Sequence, residues 1–438
     1  MATHYRRGGM MRFWLYNLGW RLLGPLIPWL LARRTATGKE TKSRIAERYG
    51  NASAAPITPG MIWLHAVSVG ETVAALGLVE ALAAHRPRAH FLITTNTVTA
   101  ASMVEKAAGK MRQDRLHHRF QPLDHPAFVD RFLATYRPVL AIFLESDFWP
   151  NLITRTAKSG IPVIFASSQM SDTAFARWQG RPAVARQLFA TPQLVLAVNS
   201  EQASRFRRLG TAADRITVIG SLKGVHTPAP NDSLCQRLMQ AIGQRRLFLA
   251  ASTHAGEDAP VIAAAQQLGQ GWLTIIAPRH PDRGDAIASL AGGAPQFSHN
   301  AMPGPHDSVF VMDVLGEMAS LFSLADVVFL GASLVPNGGH NPLEPAQFGR
   351  PIITGPHIFK NSAEFGGLRA AGVVFDLDYD ATDATVAAAL AALVMKIAAD
   401  KAGREKIHKS ALDYAAIAAK RADTAAAAIN KLITAPRH

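Results

Sequence analysis

Cysteine is nearly absent from this 438-residue chain, where Cys235 stands alone. A disulfide framework and a cysteine-rich zinc site are therefore excluded, and the scarcity fits a reducing compartment. Acid is short as well: 32 Asp and Glu oppose 46 Lys and Arg, for a net charge of +14. That surplus calls for an acidic partner, whether a membrane surface, a nucleic acid or a phosphorylated substrate. Charged residues are only 18% of the chain and hydrophobic residues 48%, which excludes a disordered polymer. No G-x-G-x-x-G follows the first expected strand of either half, so an ordinary dinucleotide fold is not supported. No small-residue cleavage pattern follows the N-terminal apolar stretch. Arg33-Arg34 comes instead, which argues against a signal peptide.

What the sequence does have is unevenly placed. Residues 1–50 hold ten Lys/Arg against Glu40 and Glu47, a surplus of eight and more than half of the total. Between these charges lies Phe13–Ala32, with Trp14, Tyr16 and Trp20. It reaches the roughly 20 residues that a bilayer crossing takes. Arg21 sits inside it, however, and Pro25 and Pro28 interrupt it. The favoured reading of residues 1–34 is a monotopic helix on an anionic leaflet. A true span and a core helix of the first domain are the alternatives.

Beyond a polar bridge at 35–59, short apolar runs alternate with helical patterns. Ile62–Val67, Phe91–Thr95, Val139–Leu144, Val163–Ala166, Leu194–Val198 and Ile216–Ile219 read as strands. After a break, Leu247–Ala251, Leu273–Ala277, Val309–Met312, Val327–Leu330 and Pro351–Thr354 repeat the pattern. Intervening helices include Glu71–His85, Asn151–Lys158 and Pro342–Phe348, and Lys406–Ile433 reads as one long helix or two. Such alternation gives parallel sheets covered by helices on both faces. The expected division is a first domain at 35–224, a linker at 225–232 and a second domain at 233–438. Ligands of such sheets bind beyond the carboxyl ends of the strands.

The candidate residues sit at those ends. Ser68-Val-Gly-Glu71 is a capping box on the bland reading. On the functional one it is a carboxylate at a helix start, poised to take a proton. Glu145 and Asp147 follow the fourth strand, and Lys223 precedes the linker. In the second half Arg279 offers a planar fork for phosphate. Gly316 and Gly338-Gly339 allow backbone to approach a ligand. Asn341-Pro342 starts a helix that offers free N–H groups to an anion, and Glu344 falls where a capping box would close. His254 and His280 lack metal-ligand spacing and read as hydrogen-bonding residues. No Asp-x-Asp pair is read as a nucleotide-metal site, so no metal and no cofactor are expected. The set suits group transfer from an activated nucleotide donor to an acceptor near a membrane.

These segments resemble the bacterial 3-deoxy-D-manno-octulosonic acid (Kdo) transferases. The resemblance runs in order through Ser43-Arg-Ile-Ala-Glu-Arg-Tyr-Gly50, His65-Ala-Val-Ser-Val-Gly-Glu-Thr72, Glu145-Ser-Asp-Phe-Trp-Pro-Asn151 and Gly220-Ser-Leu-Lys223. It continues through Ser252-Thr-His-Ala-Gly-Glu257, Pro278-Arg-His-Pro281, Gly316-Glu317, Gly338-Gly-His-Asn-Pro-Leu-Glu344 and Gly355-Pro-His-Ile-Phe359. It implies an α/β GT-B glycosyltransferase with two Rossmann-like domains facing a cleft and an N-terminal membrane-associated helix. It implies CMP-Kdo as donor, a lipid A precursor, lipid IV(A), as acceptor, lipopolysaccharide biosynthesis as the setting and the cytoplasmic face of the inner membrane as the place. By the same resemblance Glu71 is the proton acceptor, and Glu145 and Lys223 stabilise the transition state. Pro278, Arg279, Leu315, Gly316, Glu317, Asn341, Pro342, Leu343 and Glu344 contact CMP. Two departures stand out: Gln169 occupies the place of the family's usual arginine, and Ala332 that of a glycine. The competing readings are another nucleotide-sugar transferase of the same architecture and a non-enzymatic binder of anionic membranes.

Overall fold

The computed structural model describes residues 4–52, 60–109, 111, 115–223, 229–378 and 383–434. Its apolar runs form two parallel sheets, as runs buried on both faces do. The first contains β1 (Ile62–His65), β2 (Phe91–Thr95), β3 (Leu116–Phe120), β4 (Leu140–Leu144), β5 (Val163–Ser168), β6 (Leu194–Ala197) and β7 (Ile216–Val218). Their spatial order is β3-β2-β1-β4-β5-β6-β7. The second contains β8 (Arg246–Thr253), β9 (Trp272–Pro278), β10 (Val309–Val311), β11 (Val327–Leu330), β12 (Ile352–Thr354) and β13 (Val374–Asp376), in the order β10-β9-β8-β11-β12-β13. Each sheet carries an apolar core on both faces. The strand order reverses once in each, between β1 and β4 and between β8 and β11. A doubly wound sheet binds its ligands at such a reversal, beyond the carboxyl ends of the two strands.

The chain divides into two compact units, Met1–Gly224 with Lys420–His438, and Val225–Ala419. Here the structure departs from the expected second domain at 233–438. The Arg421–Thr434 helix belongs to the first unit. Its Ala425, Ala426 and Ile429 are fully buried with Leu78 and Leu82 of the Val69–His85 helix. Half of the expected linker, residues 225–228, lies outside the described residues. Strand β3 escapes the sequence reading because its Leu-His-His-Arg-Phe run carries three basic side chains. His118 is nevertheless buried, with Nε2 2.9 Å from Thr95 Oγ1 and Nδ1 2.8 Å from an Arg44 guanidinium nitrogen. Arginine only donates, so Nδ1 accepts and the proton sits on Nε2. Burial, then neighbouring Arg44, drives this histidine's pKa far down.

The N-terminal segment folds as helices His4–Leu23 and Ile27–Ala36, interrupted at Gly24–Leu26 where Pro25 stands. Among the described residues no helix is long and apolar enough to cross a membrane. Phe13, Ile27 and Leu31 turn inward, while Trp14, Leu15, Leu22, Leu26 and Trp29 are all more than half exposed. The segment is tied down by Arg34, whose Nε donates to Glu40 at 2.9 Å. Glu40 in turn accepts from buried Arg48 at 3.0 and 3.1 Å, and Arg48 bonds Asn96 beyond the end of β2.

Backbone strain gathers at the carboxyl ends of the strands. Glu145, Ser167, Ser252 and Ala332 adopt φ of 55°, 53°, 57° and 61° without being glycine. Left-handed conformations of this kind cost of order 1–3 kcal/mol each and persist where surrounding contacts over-determine them. Glu257 supplies those contacts in the second unit. It is fully buried, and its two carboxylate oxygens accept backbone N–H groups from His254, Ala332, Ser333 and Leu334 at 2.8, 2.8, 2.9 and 2.9 Å. Glu257→Ala orphans two buried donors, on Ala332 and Ser333, and two half-buried ones; a buried donor left unmade costs roughly 1–3 kcal/mol. Unfolding in urea is expected to show a loss of about 3 kcal/mol or more. A loss below about 0.5 kcal/mol would show that the loop holds itself.

Candidate active site

In the first unit the reversal brings together Glu71, which follows β1, and Glu145, which follows β4. The Val69–His85 helix starts with Ser68 as its cap, and the capping box is complete. Glu71 Oε2 accepts Val67 N–H at 2.6 Å and Ser68 N–H at 3.4 Å. The bland reading of this glutamate is thus correct as geometry. It does not exhaust the residue, because Glu71 is buried and its pKa is raised, first by that burial and next by the charge of Glu145. Glu145 is 5% exposed. Its Oε2 takes the Lys223 ammonium at 2.8 Å and is approached by Gln169 Nε2 at 3.4 Å. Its Oε1 is buried without a hydrogen-bond partner among the described residues.

Lys223 lies over the start of the same helix, since a Cβ on Gly70 would meet its Cε at 3.5 Å. The segment that carries it is pinned from the C-terminus. Arg421, 8% exposed, donates to the Ser221 carbonyl at 3.3 Å. A Cβ at Gly220 (φ 88°) would fall 2.3 Å from the Arg421 Nε, so only glycine fits there. His65, fully buried at the end of β1, completes the floor. Its Nδ1 is 2.9 Å from Thr94 Oγ1, which also accepts from Trp63 Nε1 at 2.8 Å. Its Nε2 faces Asp147 Oδ2 at 3.7 Å. The structure therefore joins Glu71, Glu145 and Lys223 in one cluster.

The second unit places two histidines and an arginine at the carboxyl ends of its central strands. His254 follows β8 and His340 belongs to the loop after β11. Their Nε2 atoms face each other at 3.1 Å with rings inclined by 16°, so one ring donates the single proton between them. Burial lowers both pKa values, His340 to about 4. Both imidazoles are consequently neutral at pH 7. Arg279, one residue past β9, is exposed, and its guanidinium has no ion-pair or hydrogen-bond partner among the described residues. Neighbouring Arg283 is committed to Asp258 and to the Thr253 carbonyl. Glu344 is pushed up by burial and pulled back by Arg279. Arg279 is thus a cation without a partner among the described residues, in the field of neutral His254 and His340.

The remaining predicted residues divide. Pro278 ends β9. Leu315 is 71% exposed and Gly316 has φ 99°. Glu317 accepts from Asn231 Nδ2 at 3.3 Å and Ser320 Oγ at 3.2 Å. The helix expected over Pro342–Phe348 is one turn, Leu343–Ala346. Asn341 Oδ1 accepts the Leu343 N–H at 3.2 Å, but Pro342, already in helical conformation, takes the cap position. Gly349, left-handed at φ 69°, closes the segment three residues past Ala346. One Asp-x-Asp pair passed over in the sequence, Asp376 and Asp378, lies at the edge strand β13, where Asp376 is bound by Arg369 at 2.6 Å. Sequence reasoning missed Glu257 as an organiser, and nothing local distinguishes it from a helix-start acid. It also missed Asp124, which caps a helix 26 residues downstream instead of its own, a pairing only the tertiary fold creates.

Residues 43–225 match the family model described as 3-deoxy-D-manno-octulosonic-acid transferase (kdotransferase). The 3-deoxy-D-manno-octulosonic acid transferase of Haemophilus influenzae is 33% identical over 349 residues, covering 76% of this chain and 80% of that one. The transferase of the same description from Bordetella pertussis is 34% identical over 363 residues, with 79% and 83% covered. Among solved structures, a glycosyltransferase from Rickettsia africae superposes with a TM-score of 0.57 at 12% identity, covering 87% of this chain and 100% of that chain. That likeness establishes a shared GT-B-type fold.

The carboxylate pair yields a direct test. In carboxyl-carbon NMR of the labelled protein, Glu71 is expected to titrate above the ordinary glutamate range. A raised pKa means the protonated form persists to higher pH. Glu145→Gln removes one cause of the rise, so the midpoint should move down. A midpoint that stays put would separate the two carboxylates.

Proposed function

We propose that this chain, which belongs to the 3-deoxy-D-manno-octulosonic acid (Kdo) transferase family and is a glycosyltransferase of lipopolysaccharide biosynthesis, takes Kdo from CMP-Kdo and attaches it to lipid IV(A). The observation that carries the assignment of roles is the burial of Glu71 at a helix start beside a second carboxylate. A base held above the ordinary carboxylate range is better matched to proton abstraction near neutral pH.

In this reading Glu71 accepts the proton of the acceptor hydroxyl. The hydroxyl oxygen forms a bond to the anomeric carbon of Kdo as the bond from that carbon to the CMP phosphate oxygen breaks, and the electron pair leaves with CMP. The displacement is direct and inverts the anomeric centre. Glu145, with one unbonded carboxylate oxygen, and its partner Lys223 stabilise charge on the sugar and on the departing group. Arg279 meets the phosphate, supported by the backbone of the Leu315–Glu317 and Asn341–Glu344 segments. Fixed charges of this kind act where charge develops in the transition state. The exposed Trp and Leu side chains, in a segment with a surplus of eight basic residues, support a position on the cytoplasmic face of the inner membrane.

Incubation with CMP-Kdo and a tetraacyl lipid A precursor, followed by mass spectrometry of the lipid, tests the reading. A Kdo-bearing product is expected, and its absence with both substrates intact would overturn the assignment. Glu71→Gln keeps an oxygen for the Val67 and Ser68 N–H groups, so it should fold and bind CMP while turnover falls ~10²–10⁴-fold. Near-normal turnover would reduce Glu71 to a cap.

Arg279→Ala should weaken CMP in calorimetric titration by roughly 1.5–3 kcal/mol, the range for a hydrogen bond to a charged group. Unchanged affinity would remove Arg279 from the donor site.

A further inference from the structure

Tyr16 lies on the His4–Leu23 helix, whose Trp14, Leu15, Leu22 and Leu23 are more than half exposed. Its own side chain points the other way. The phenol donates to Asp124 Oδ2 at 2.8 Å, and Trp20 packs edge-on against the ring at 6.4 Å. Asp124 is 1% exposed. Besides the phenol, its carboxylate accepts the backbone N–H groups of Asn151 at 3.0 Å and Leu152 at 2.7 Å, and its carbonyl accepts from Asn151 Nδ2 at 2.6 Å. These are the free donors of the first turn of the Pro150–Lys158 helix. That helix follows directly on Glu145–Trp149, the loop that carries Glu145 and Asp147. One buried carboxylate therefore bonds both the apolar helix and the element that sets the position of the acceptor-side acids. Neither backbone donor needs Tyr16, so the cap of the Pro150–Lys158 helix is complete without it. The phenol instead adds a polar tie to a helix otherwise seated by apolar packing. Burial and the charge of Asp124 both hold the phenol protonated, and hence a donor.

We propose that Tyr16 is a positioning residue: through Asp124 it fixes the lipid-facing helix relative to Glu145 and Asp147, so that an acceptor embedded in a lipid surface meets the reacting groups at one set depth. The proposal rests on the reading that the acceptor is a membrane lipid. It separates two roles of the N-terminal segment. The exposed Trp and Leu side chains provide adhesion, and the hydroxyl provides register. Adhesion alone brings the protein to the surface but leaves the height and tilt of the site unset. Misplacement of reacting groups by about 1 Å costs as much as 10²-fold in rate.

Tyr16→Phe removes the hydroxyl and keeps the ring. Transfer is compared on lipid IV(A) in phosphatidylethanolamine/phosphatidylglycerol vesicles and on the same lipid dispersed in detergent, which imposes no fixed depth. The variant should bind vesicles like the wild type and keep its melting temperature. On vesicles kcat/KM is expected to fall about tenfold, and in detergent to stay within twofold. An equal fall on both acceptors would make Tyr16 merely structural, and no fall on either would remove it from the reaction. A second readout is independent of transfer. Spin labels at Leu23→Cys and Lys158→Cys, in a Cys235→Ser background on vesicles, report the distance between the two helices. Tyr16→Phe should broaden a narrow distribution, and an unchanged distribution would overturn the proposal. Should the wild type transfer to neither acceptor, the lipid reading fails by itself, while the distance measurement still decides the tie.

Discussion

A buried carboxylate filled by backbone N–H groups is the constraint from which this structure is built. Parallel strands must turn sharply at their carboxyl ends to bring loops over a ligand, and each turn strips N–H groups of their ladder partners. Water does not reach them there, so an internal acceptor has to. Glu257 takes four such donors and holds two left-handed turns, at Ser252 and Ala332, against each other. Asp124 takes two from the start of one helix. Glu47 takes the Phe120 N–H at 2.5 Å while bound to Arg44. An unpaired buried charge is expensive, but a carboxylate saturated with oriented amides has exchanged water for fixed dipoles. The chain thereby gains loops stiff enough to present functional groups without a dense apolar core beneath each one.

Glu71 belongs to the same class and departs from it in one respect. It caps its helix, yet it is also pressed toward the neutral form by burial and by Glu145. The organising carboxylates are saturated, whereas this pair is not: Glu145 retains a buried oxygen with no partner among the described residues. Incomplete satisfaction is costly in a core and useful at a reaction centre, where a substrate group completes the set. The two reversals of strand order thus carry different chemistries. One holds acids and a lysine, the other an arginine beside neutral imidazoles.

Much of the fold was legible because strands buried on both faces leave unbroken apolar runs, as in Phe91–Thr95 and Val327–Leu330. Strand β3 was not, since His118 and Arg119 are accommodated only by partners far away in sequence: Arg44 and Thr95 for the first, Tyr136 for the second. The site was legible to the extent that its residues follow strands. Glu71, Glu145 and Arg279 stand one to six residues past a strand end, and position alone nominated them. Their organisers were invisible for the opposite reason. Nothing in Asp124-His-Pro announces that its carboxylate serves Asn151, and a helix-start glutamate at 257 looks like any other. The Ala-rich pattern after residue 400 shows that those helices need a face to bury but not which core receives it, so the last helix was assigned to the wrong unit.

That last helix has a consequence for how the protein is made. The second unit is continuous from Val225 to Ala419, but the first is completed only by the Arg421–Thr434 helix. During synthesis the core of the first unit lacks Ala425, Ala426 and Ile429 until the whole of the second unit has been made. Domains ordinarily fold in order of emergence. Here the first unit can finish only after the second has emerged, and Arg421 locks the Lys223 segment only then. Until Arg421 has emerged, the cluster of Glu71, Glu145 and Lys223 lacks its last structural support.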